Sequence, residues 1–256
     1  MKKILIILIT MMSMVFSVYS KDDSSMNEKD VIRLQNVLAK IRRGEDVKVV
    51  ALGGSITTGF SASPANTKGW AGLTGTWLKE LAAENNSKLT FANQGVSGTD
   101  SAFAIARLED HVISLNPDLL LLEFAMNDQW LDPKVRQRTY ESIIRKVMNN
   151  TETAVLALFV NERNAPYPSN QAEQQKICEY YQIPYVSWKD SLFESDKKAS
   201  FEPFFDGTET VHPNTKGHAN IASFIINKIN SVWETLPQDN EIPVVEKKLP
   251  KPLTDS

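Results

Sequence analysis

Cysteine is almost absent from this chain, and its scarcity is the first constraint on what the chain does. Cys178 is the only cysteine among 256 residues, so no internal disulfide is possible. A chain of this length is stable without cross-links when it buries a large core. Strong basic clusters are also missing, and the formal net charge is −3. A mildly acidic chain without such a cluster is a poor candidate for nucleic-acid binding.

Several motifs of nucleotide and metal chemistry are missing as well. The sequence has no GxxxxGK[ST] loop for phosphates and no GxGxxG after its first apolar run. It has no HExxH pair, and its three histidines are scattered, which argues against a zinc site. We therefore expect neither a metal nor an organic cofactor. The stretch GGSIT lacks the last glycine of GxSxG, which excludes the nucleophile elbow of the α/β-hydrolases.

Residues 1–20 have the layout of a secretory signal peptide. Two lysines precede an apolar run from Ile4 to about Val18, and a polar segment follows Ser20. The run is shorter than the roughly 20 residues that a membrane-spanning helix needs. We therefore expect export to the periplasm or the cell exterior, without stable membrane insertion after cleavage. The alternative is an uncleaved membrane anchor.

Apolar runs alternate with helical patterns along the rest of the chain. Five runs have the length and composition of strands: VKVVAL, KLTFAN, DLLLLEFAM, TAVLALFVN and PYVSW. The segments between them predict helices, one of which covers residues 101–116. The alternation predicts an α/β fold, a three-layer α/β/α domain with a five-stranded parallel sheet. We expect a lead-in helix in residues 21–44, this domain in residues 45–236, and a proline- and charge-rich tail or linker in residues 237–256.

Polar residues follow three of the predicted strands and precede the last predicted helix. They are Ser55 after the first strand, Asn93 and Gly95 after the second, Asn127 after the third, and His212 before the helix. Because ligands of parallel α/β sheets bind beyond the carboxyl ends of the strands, we expect these residues to share one edge. A hydroxyl, amide donors and an imidazole are the groups that acyl transfer requires.

The four segments resemble conserved blocks of the SGNH hydrolases, also called the GDSL esterase and lipase superfamily. GGSIT is similar to block I, NQGVSG to block II, AMND to block III and ETVHP to block V. Two positions depart from the family pattern, because Ala125 replaces a glycine and Glu209 replaces an aspartate. The resemblance spans residues 45 to about 235 and implies the flavodoxin-like fold of these hydrolases.

The resemblance implies a role for each matched residue. Ser55 would be the nucleophile, and His212 would take its proton and return it to the leaving alcohol. The N–H of Ser55, the N–H of Gly95 and the side-chain NH₂ of Asn127 would form the oxyanion hole. Losing one such donor typically costs about 100- to 1,000-fold in rate.

Two carboxylates compete to orient His212. Glu209 lies three residues before it, at the position of the family's aspartate, and Asp206 lies six residues before it. Glutamate is one methylene longer than aspartate, so Asp206 stays open as the alternative acid. A third arrangement is a Ser-His dyad oriented by a backbone carbonyl. His218 is expected to have a structural role, since one base suffices.

GGSIT resembles the block I of bacterial members that act on acylated carbohydrates. The resemblance implies an exported serine esterase that removes an acetyl group from a carbohydrate, with an acylated small molecule or glycan as its partner. The alternatives are a lysophospholipase, lipase or thioesterase of the same superfamily, or a non-catalytic carbohydrate-binding protein. Four aromatic residues near strand ends are candidates for stacking on sugar rings, or for ordinary packing: Trp70, Trp130, Tyr167 and Trp188.

Overall fold

Five parallel strands form a single sheet in the computed structural model, which describes residues 31–164, 170–238, 242 and 249–254. The strands are β1 (Val47–Gly53), β2 (Leu89–Gly95), β3 (Leu119–Glu123), β4 (Ala154–Phe159) and β5 (Tyr185–Ser187). Their order is β2-β1-β3-β4-β5, and every neighbouring pair is parallel. The predicted five-stranded parallel sheet is confirmed.

Helices connect the strands and cover both faces of the sheet. They are α1 (Ile32–Arg42), α2 (Ser55–Thr58), α3 (Ala65–Lys68), α4 (Trp70–Glu84), α5 (Ser101–Ala106), α6 (Leu108–His111), α7 (Pro133–Asn150), α8 (Gln171–Tyr180), α9 (Trp188–Ser195) and α10 (Thr215–Glu234). Short 3₁₀ turns lie at Ile113–Leu115, Asn127–Trp130 and Glu202–Phe204.

The side chains of β1 alternate between two apolar clusters, one on each face of the sheet. Val49 and Ala51 belong to the cluster that includes the apolar faces of α1, α4, α9 and α10. Val50 and Leu52 belong to the cluster formed with α5, α6, α7 and α8. Successive side chains of a strand point to opposite faces, so β1 contributes to both clusters. The architecture is therefore the predicted α/β/α sandwich.

The prediction of one helix over residues 101–116 is wrong. Two short helices, α5 and α6, form instead, and Arg107 separates them. The side chain of Arg107 is almost fully buried. Its guanidinium donates hydrogen bonds to the carbonyl oxygen of Gln94 at 2.7 Å and to that of Gly53 at 3.2 Å. Arg107 thus ties the carboxyl ends of β1 and β2 together, a long-range contact that helical periodicity does not encode.

The described part of the C-terminal segment packs on the domain. The carboxylate of Glu141 on α7 accepts the N–H of Leu253 at 2.5 Å and the N–H of Thr254 at 2.8 Å. Arg145 donates to the carbonyl oxygen of Pro250 at 2.8 Å. Residues 249–254 are therefore fixed against α7 rather than extended away from the domain.

The predicted signal peptide of residues 1–20 lies outside the described residues. Within the part of the chain that the structure describes, no helix is long and apolar enough to cross a membrane.

Candidate active site

Ser55 lies at the carboxyl edge of the sheet, directly after β1. It is the first residue of the short helix α2, and its side chain is 7% exposed. Two glycines before it allow close packing. A Cβ on Gly53 would lie 2.0 Å from Thr57 Oγ1, and a Cβ on Gly54 would lie 2.4 Å from Asn127 Oδ1. The glycine pair is therefore what permits this sharp exit from the strand.

The structure brings His212 to Ser55 from 157 residues away, and the distance from Ser55 Oγ to His212 Nε2 is 2.9 Å. His212 lies in the loop before α10 and is partly buried. A hydroxyl that donates to an unprotonated imidazole nitrogen is the pairing that activates a serine nucleophile. The structure thus places the two residues within hydrogen-bond distance of each other.

Glu209 is the carboxylate that faces His212, and its Oε2 lies 3.3 Å from His212 Nδ1. The other oxygen accepts the backbone N–H groups of Thr210 at 2.9 Å, Val211 at 2.8 Å and His212 at 3.2 Å. The Val211 N–H contributes most to lowering the pKa of Glu209 to about 2. No other acceptor for His212 Nδ1 is found among the described residues, so Glu209 is the polar group on this side of the imidazole.

Asp206, the alternative acid, is turned away from the imidazole. Its Oδ1 accepts a hydrogen bond from Asn214 Nδ2 at 2.8 Å. Asn214 in turn caps α10 by accepting the N–H groups of Lys216 and Gly217, both at 3.0 Å. Asp206 therefore supports the start of α10, and the structure does not bring it to His212.

Asn127 lies beside the nucleophile, as the sequence predicts. Its side chain packs over Gly54, at a distance that only a glycine allows. The N–H of Ser55 belongs to the first turn of α2, where backbone N–H groups have no intrahelical acceptor. The backbone N–H of Ser55 and the amide side chain of Asn127 thus both lie at the exit from β1.

Gly95 is not arranged as the sequence predicts. Its N–H donates to Asn93 Oδ1 at 2.9 Å, while Asn93 Nδ2 donates to the carbonyl oxygen of Thr57 at 2.8 Å. A Cβ on Gly95 would lie 2.7 Å from the backbone nitrogen of Thr58. Gly95 is therefore packed against α2, and its N–H is already used within the protein.

Gly98 is the glycine that sequence reasoning missed. It is exposed, has a φ of +72°, and a Cβ there would have no neighbour within 4 Å. The next residue, Thr99, places its carbonyl oxygen 3.1 Å from the position of a Cβ on Gly54. The loop after β2 therefore approaches Gly54, the residue before Ser55, at Thr99. The signal was the second glycine of NQGVSG, in a turn that needs positive φ.

Only one described aromatic candidate is on the surface. Trp130 is 82% exposed, in the same 3₁₀ turn as Asn127. Trp70 and Trp188 are fully buried, so the expectation that they stack on a substrate is wrong. Trp188 packs on Phe201 and donates from Nε1 to Asn220 Oδ1 at 2.7 Å. Tyr167 lies outside the described residues.

Phe60 is an exposed aromatic that the sequence analysis did not single out. Its ring lies against the imidazole of His212, with the ring centroids 4.5 Å apart, and it is 51% exposed. It follows α2 directly in the chain. The wall of the site beside the imidazole is therefore aromatic.

A buried carboxyl group, Glu123, lies beneath the site at the end of β3. Burial raises its pKa to about 8, and the neighbouring Asp128 adds to this shift. Thr57 Oγ1 donates to Glu123 Oε2 at 3.4 Å, and the backbone N–H groups of Ala125 and Met126 also reach the carboxyl group. Glu123 thus connects α2 with the turn that leads to Asn127.

The free energy of unfolding is expected to fall as pH rises from about 5 to about 8. Glu123 ionises near its ordinary pKa of 4.5 in the unfolded chain but keeps its proton to about pH 8 when folded. The contribution of Glu123 to the free energy of unfolding is therefore fully present below pH 4.5, and it is lost as pH rises through the pKa of the folded protein. Glu123→Gln is expected to remove roughly 1–3 kcal/mol of this pH dependence, measured as melting temperatures at several pH values.

Glu80→Gln, at an exposed position of α4, is the matched control. It is expected to leave the pH dependence unchanged. Burial raises the pKa of Asp128 to about 7. Asp128 therefore accounts for the dependence of stability on pH that remains in Glu123→Gln. An unchanged slope in Glu123→Gln would contradict the assignment.

Within the described residues, no group of three or more histidine, cysteine, aspartate or glutamate side chains is arranged to hold a metal ion.

A three-layer α/β/α domain with a serine and a histidine paired at the carboxyl edge of its sheet is an arrangement that ester-bond hydrolases use. A family model described as the GDSL-like lipase/acylhydrolase family matches residues 51–219. The chain belongs to this family, and so to the SGNH hydrolases that its sequence motifs resemble.

Solved structures agree with this assignment. A two-domain esterase (CEX) active on acetylated mannans is 28% identical, with a TM-score of 0.74 over 88% of this chain and 58% of its own. This chain therefore spans less than two thirds of that esterase. Axe2, an acetylxylan esterase from Geobacillus stearothermophilus, is 20% identical with a TM-score of 0.61, over 75% of this chain and 98% of its own.

LAE5, an α/β hydrolase enzyme from the metagenome of Lake Arreo in Spain, is 18% identical with a TM-score of 0.60, over 73% of this chain and 96% of its own. At their levels of identity, Axe2 and LAE5 establish the fold alone. No curated protein sequence matches the chain.

Proposed function

We propose that this chain is an exported serine esterase that removes acetyl or similarly small acyl groups from a carbohydrate. The observation that carries the proposal is the 2.9 Å contact between Ser55 Oγ and His212 Nε2, in a chain of the acylhydrolase family. Glu209 supplies the negative charge on the far side of the imidazole. These three groups supply the nucleophile, the base and the acid of acyl transfer.

The proposed reaction begins when Ser55 Oγ attacks the carbonyl carbon of the ester and passes its proton to His212 Nε2. The tetrahedral intermediate collapses as His212 returns this proton to the departing sugar oxygen, leaving an acyl-enzyme on Ser55. A water molecule then attacks the acyl carbon, again with His212 as the base, and releases the carboxylic acid. Glu209 stabilises the imidazolium in both halves of the reaction.

The oxyanion of each intermediate would be bound by the N–H of Ser55 and the side-chain NH₂ of Asn127. We propose the N–H of Gly98 as the third donor, in place of Gly95. Gly98 precedes Thr99, whose carbonyl oxygen lies close to Gly54, and no hydrogen bond of the Gly98 N–H to another described residue is found, whereas the Gly95 N–H is bonded to Asn93. Donors held in place before the reaction cost no reorganisation when the negative charge develops.

The segment that follows the nucleophile favours a small acyl group over a fatty chain. Residues 63–68 follow α2 closely and are exposed, and most of them are small or polar rather than apolar. The chain has no long apolar run there to hold a fatty chain. The similar two-domain esterase acts on acetylated mannans, which supports an acetylated glycan as the substrate class.

Trp130 is the proposed contact for the sugar. Its ring is 82% exposed and lies three residues after the proposed oxyanion donor Asn127. Such a ring provides an apolar surface for the C–H groups of a pyranose. Acetylated glycans are found outside the cytoplasm, which agrees with the export predicted from residues 1–20.

Ester hydrolysis across acyl chain lengths tests the proposal. The kcat/KM for chromogenic esters is expected to fall by about 100-fold or more between acetyl and octanoyl, because a small acyl pocket rejects added methylenes. Acetate release from acetylated mannan and acetylated xylan is measured in parallel on the same folded protein. A preference for octanoyl or palmitoyl esters would support a lipase instead, and folded protein inactive on every ester would support carbohydrate binding without catalysis.

A further inference from the structure

His218 is the one fully buried histidine among the described residues, and both of its ring nitrogens are engaged. Its Nδ1 accepts the backbone N–H of Trp70, at the first residue of α4, at 3.2 Å. Its Nε2 lies 3.0 Å from the carbonyl oxygen of Phe60. Since Nδ1 accepts, the ring proton resides on Nε2 and is donated to Phe60. Burial lowers the pKa of His218, which favours this neutral form.

Phe60 connects this buried histidine to the proposed base. Its backbone N–H donates to the carbonyl oxygen of Ser55 at 3.1 Å, and its ring lies 4.5 Å from the ring of His212, centroid to centroid. The Phe60 ring is 51% exposed, so burial alone does not hold it in place. Its position depends on its backbone contacts, one of which is the hydrogen bond from His218.

The loop around Phe60 needs such an anchor. Gly59 has a φ of +87° and Ser61 has a φ of +69°. A non-glycine residue in the left-handed region costs about 1–2 kcal/mol, so tertiary contacts must impose this conformation on Ser61. The bond from His218 to the Phe60 carbonyl oxygen lies between these two residues and is the only side-chain bond found at that carbonyl among the described residues.

The imidazole of His212 is weakly held by its carboxylate. The distance from Glu209 Oε2 to His212 Nδ1 is 3.3 Å, without hydrogen-bond alignment. The Phe60 ring therefore supplies the lateral contact that limits rotation of this imidazole. A base displaced by about 1 Å from its nucleophile loses roughly 100-fold in rate.

We propose that His218 is a positioning residue for catalysis: through its bond to Phe60 it keeps the ring of Phe60 against His212 and so keeps His212 aligned with Ser55. This inference rests on the proposed role of His212 as the base. It gives the second histidine of the HPNTKGH segment a part in the reaction without contact with substrate.

Two amide variants distinguish a positioning role of His218 from a general contribution to the stability of the fold. In His218→Asn, the amide oxygen replaces Nδ1 as acceptor for the Trp70 N–H, but the donor to Phe60 is lost. In His218→Gln, the amide NH₂ replaces Nε2 as donor to Phe60, but the acceptor for Trp70 is lost. Both bury one amide at the same site, so similar losses of melting temperature are expected.

The measured quantities are kcat, KM and the rate at which a fluorophosphonate labels Ser55. His218→Asn is expected to lower kcat and the labelling rate by about 10- to 100-fold with little change in KM. His218→Gln is expected to recover most of this loss. Phe60→Ala is expected to resemble His218→Asn, and the double variant Phe60→Ala/His218→Asn is expected to lose no more than either single variant, because both remove the same contact.

The inference would be overturned if His218→Asn kept the wild-type kcat and labelling rate, or if both His218 variants lost activity equally and in step with their stability. Either result leaves the proposed esterase standing, because the wild-type protein is still labelled and active. A folded wild-type protein that is neither labelled nor active on any ester overturns the proposed function and this inference together.

Discussion

Replacing Ser55 with alanine is expected to lower kcat for acetyl-ester hydrolysis by about 10⁴- to 10⁶-fold. The variant lacks the only hydroxyl found within hydrogen-bond distance of His212 Nε2 among the described residues. The residual rate would come from binding and from the oxyanion donors, which remain in place without the nucleophile. The measurement is kcat on a chromogenic acetyl ester, with circular dichroism to verify the fold.

Ser97→Ala is the matched control for Ser55→Ala. Ser97 is an exposed serine of the loop after β2, and its Oγ lies 3.3 Å from Thr58 Oγ1 rather than near an imidazole. Its replacement is expected to change kcat by less than about 3-fold. If Ser55→Ala kept more than about a hundredth of the wild-type kcat, the proposed covalent mechanism would be wrong.

The sheet could be predicted because its strands are short apolar runs that end at turn-forming residues. All residues of β3 and β4 are buried, which is the pattern of central parallel strands. The apolar runs alone do not give the order of the strands, but the observed order β2-β1-β3-β4-β5 is that of the flavodoxin-like fold, which the family resemblance implied. The interruption of the helix at Arg107 was not predicted. Arg107 contacts carbonyl oxygens at the ends of two strands, and a local sequence pattern does not indicate such long-range contacts.

The meeting of Ser55, Asn127 and His212 was predictable from topology. Each lies just beyond a strand end or before the last helix, and parallel strands bring such positions to one edge. Their spacing in the sequence was enough to predict proximity. It was not enough to choose between similar residues a few positions apart.

Gly95 and Gly98 show why that choice needs coordinates. Gly95 is the last residue of β2, Gly98 follows it by three residues, and both match a glycine-rich pattern. The side chain of Asn93 occupies the N–H of Gly95, while Gly98 turns outward with positive φ. The proposed choice of Gly98 thus rests on a local hydrogen bond and a backbone dihedral, neither of which a glycine-rich pattern gives.

The tryptophans illustrate a second limit. Trp188 and Trp130 both follow strands, yet one is fully buried and the other is 82% exposed. The difference arises because Trp188 meets Phe201 and Asn220, which are distant in sequence. Composition near a strand end therefore does not distinguish a surface for sugars from a core contact.

Glu209→Gln is the second substitution for which a large effect is expected, a loss of about 100- to 1,000-fold in kcat. Glutamine keeps an oxygen that can accept the N–H groups of Thr210 and Val211, so the turn should persist. The variant loses the negative charge beside His212 Nδ1 and presents an amide NH₂ that favours the wrong imidazole tautomer. The loss is expected to be smaller than the roughly 10⁴-fold of a tightly bonded triad, because the contact is 3.3 Å.

The pH profile of kcat/KM adds an independent check. Glu209 has a pKa lowered to about 2, so its carboxylate stays ionised from about pH 4 upward. The acid limb of the wild-type profile in that range must then come from another group. The loss in Glu209→Gln is therefore expected throughout the range from about pH 5 to pH 8, because the wild-type carboxylate keeps its charge across it.

The variant Asp206→Asn tests whether the loss of kcat is specific to Glu209, the carboxylate that faces His212. Asparagine keeps the oxygen that accepts from Asn214 Nδ2, so the start of α10 is preserved and kcat should stay within about 3-fold of wild type. A large loss in Asp206→Asn with a normal Glu209→Gln would contradict the geometry of this turn. Two near-normal variants would show that the charge is dispensable, and that Ser55 and His212 act as a dyad whose imidazole is held by the neighbouring Phe60 ring and by backbone groups.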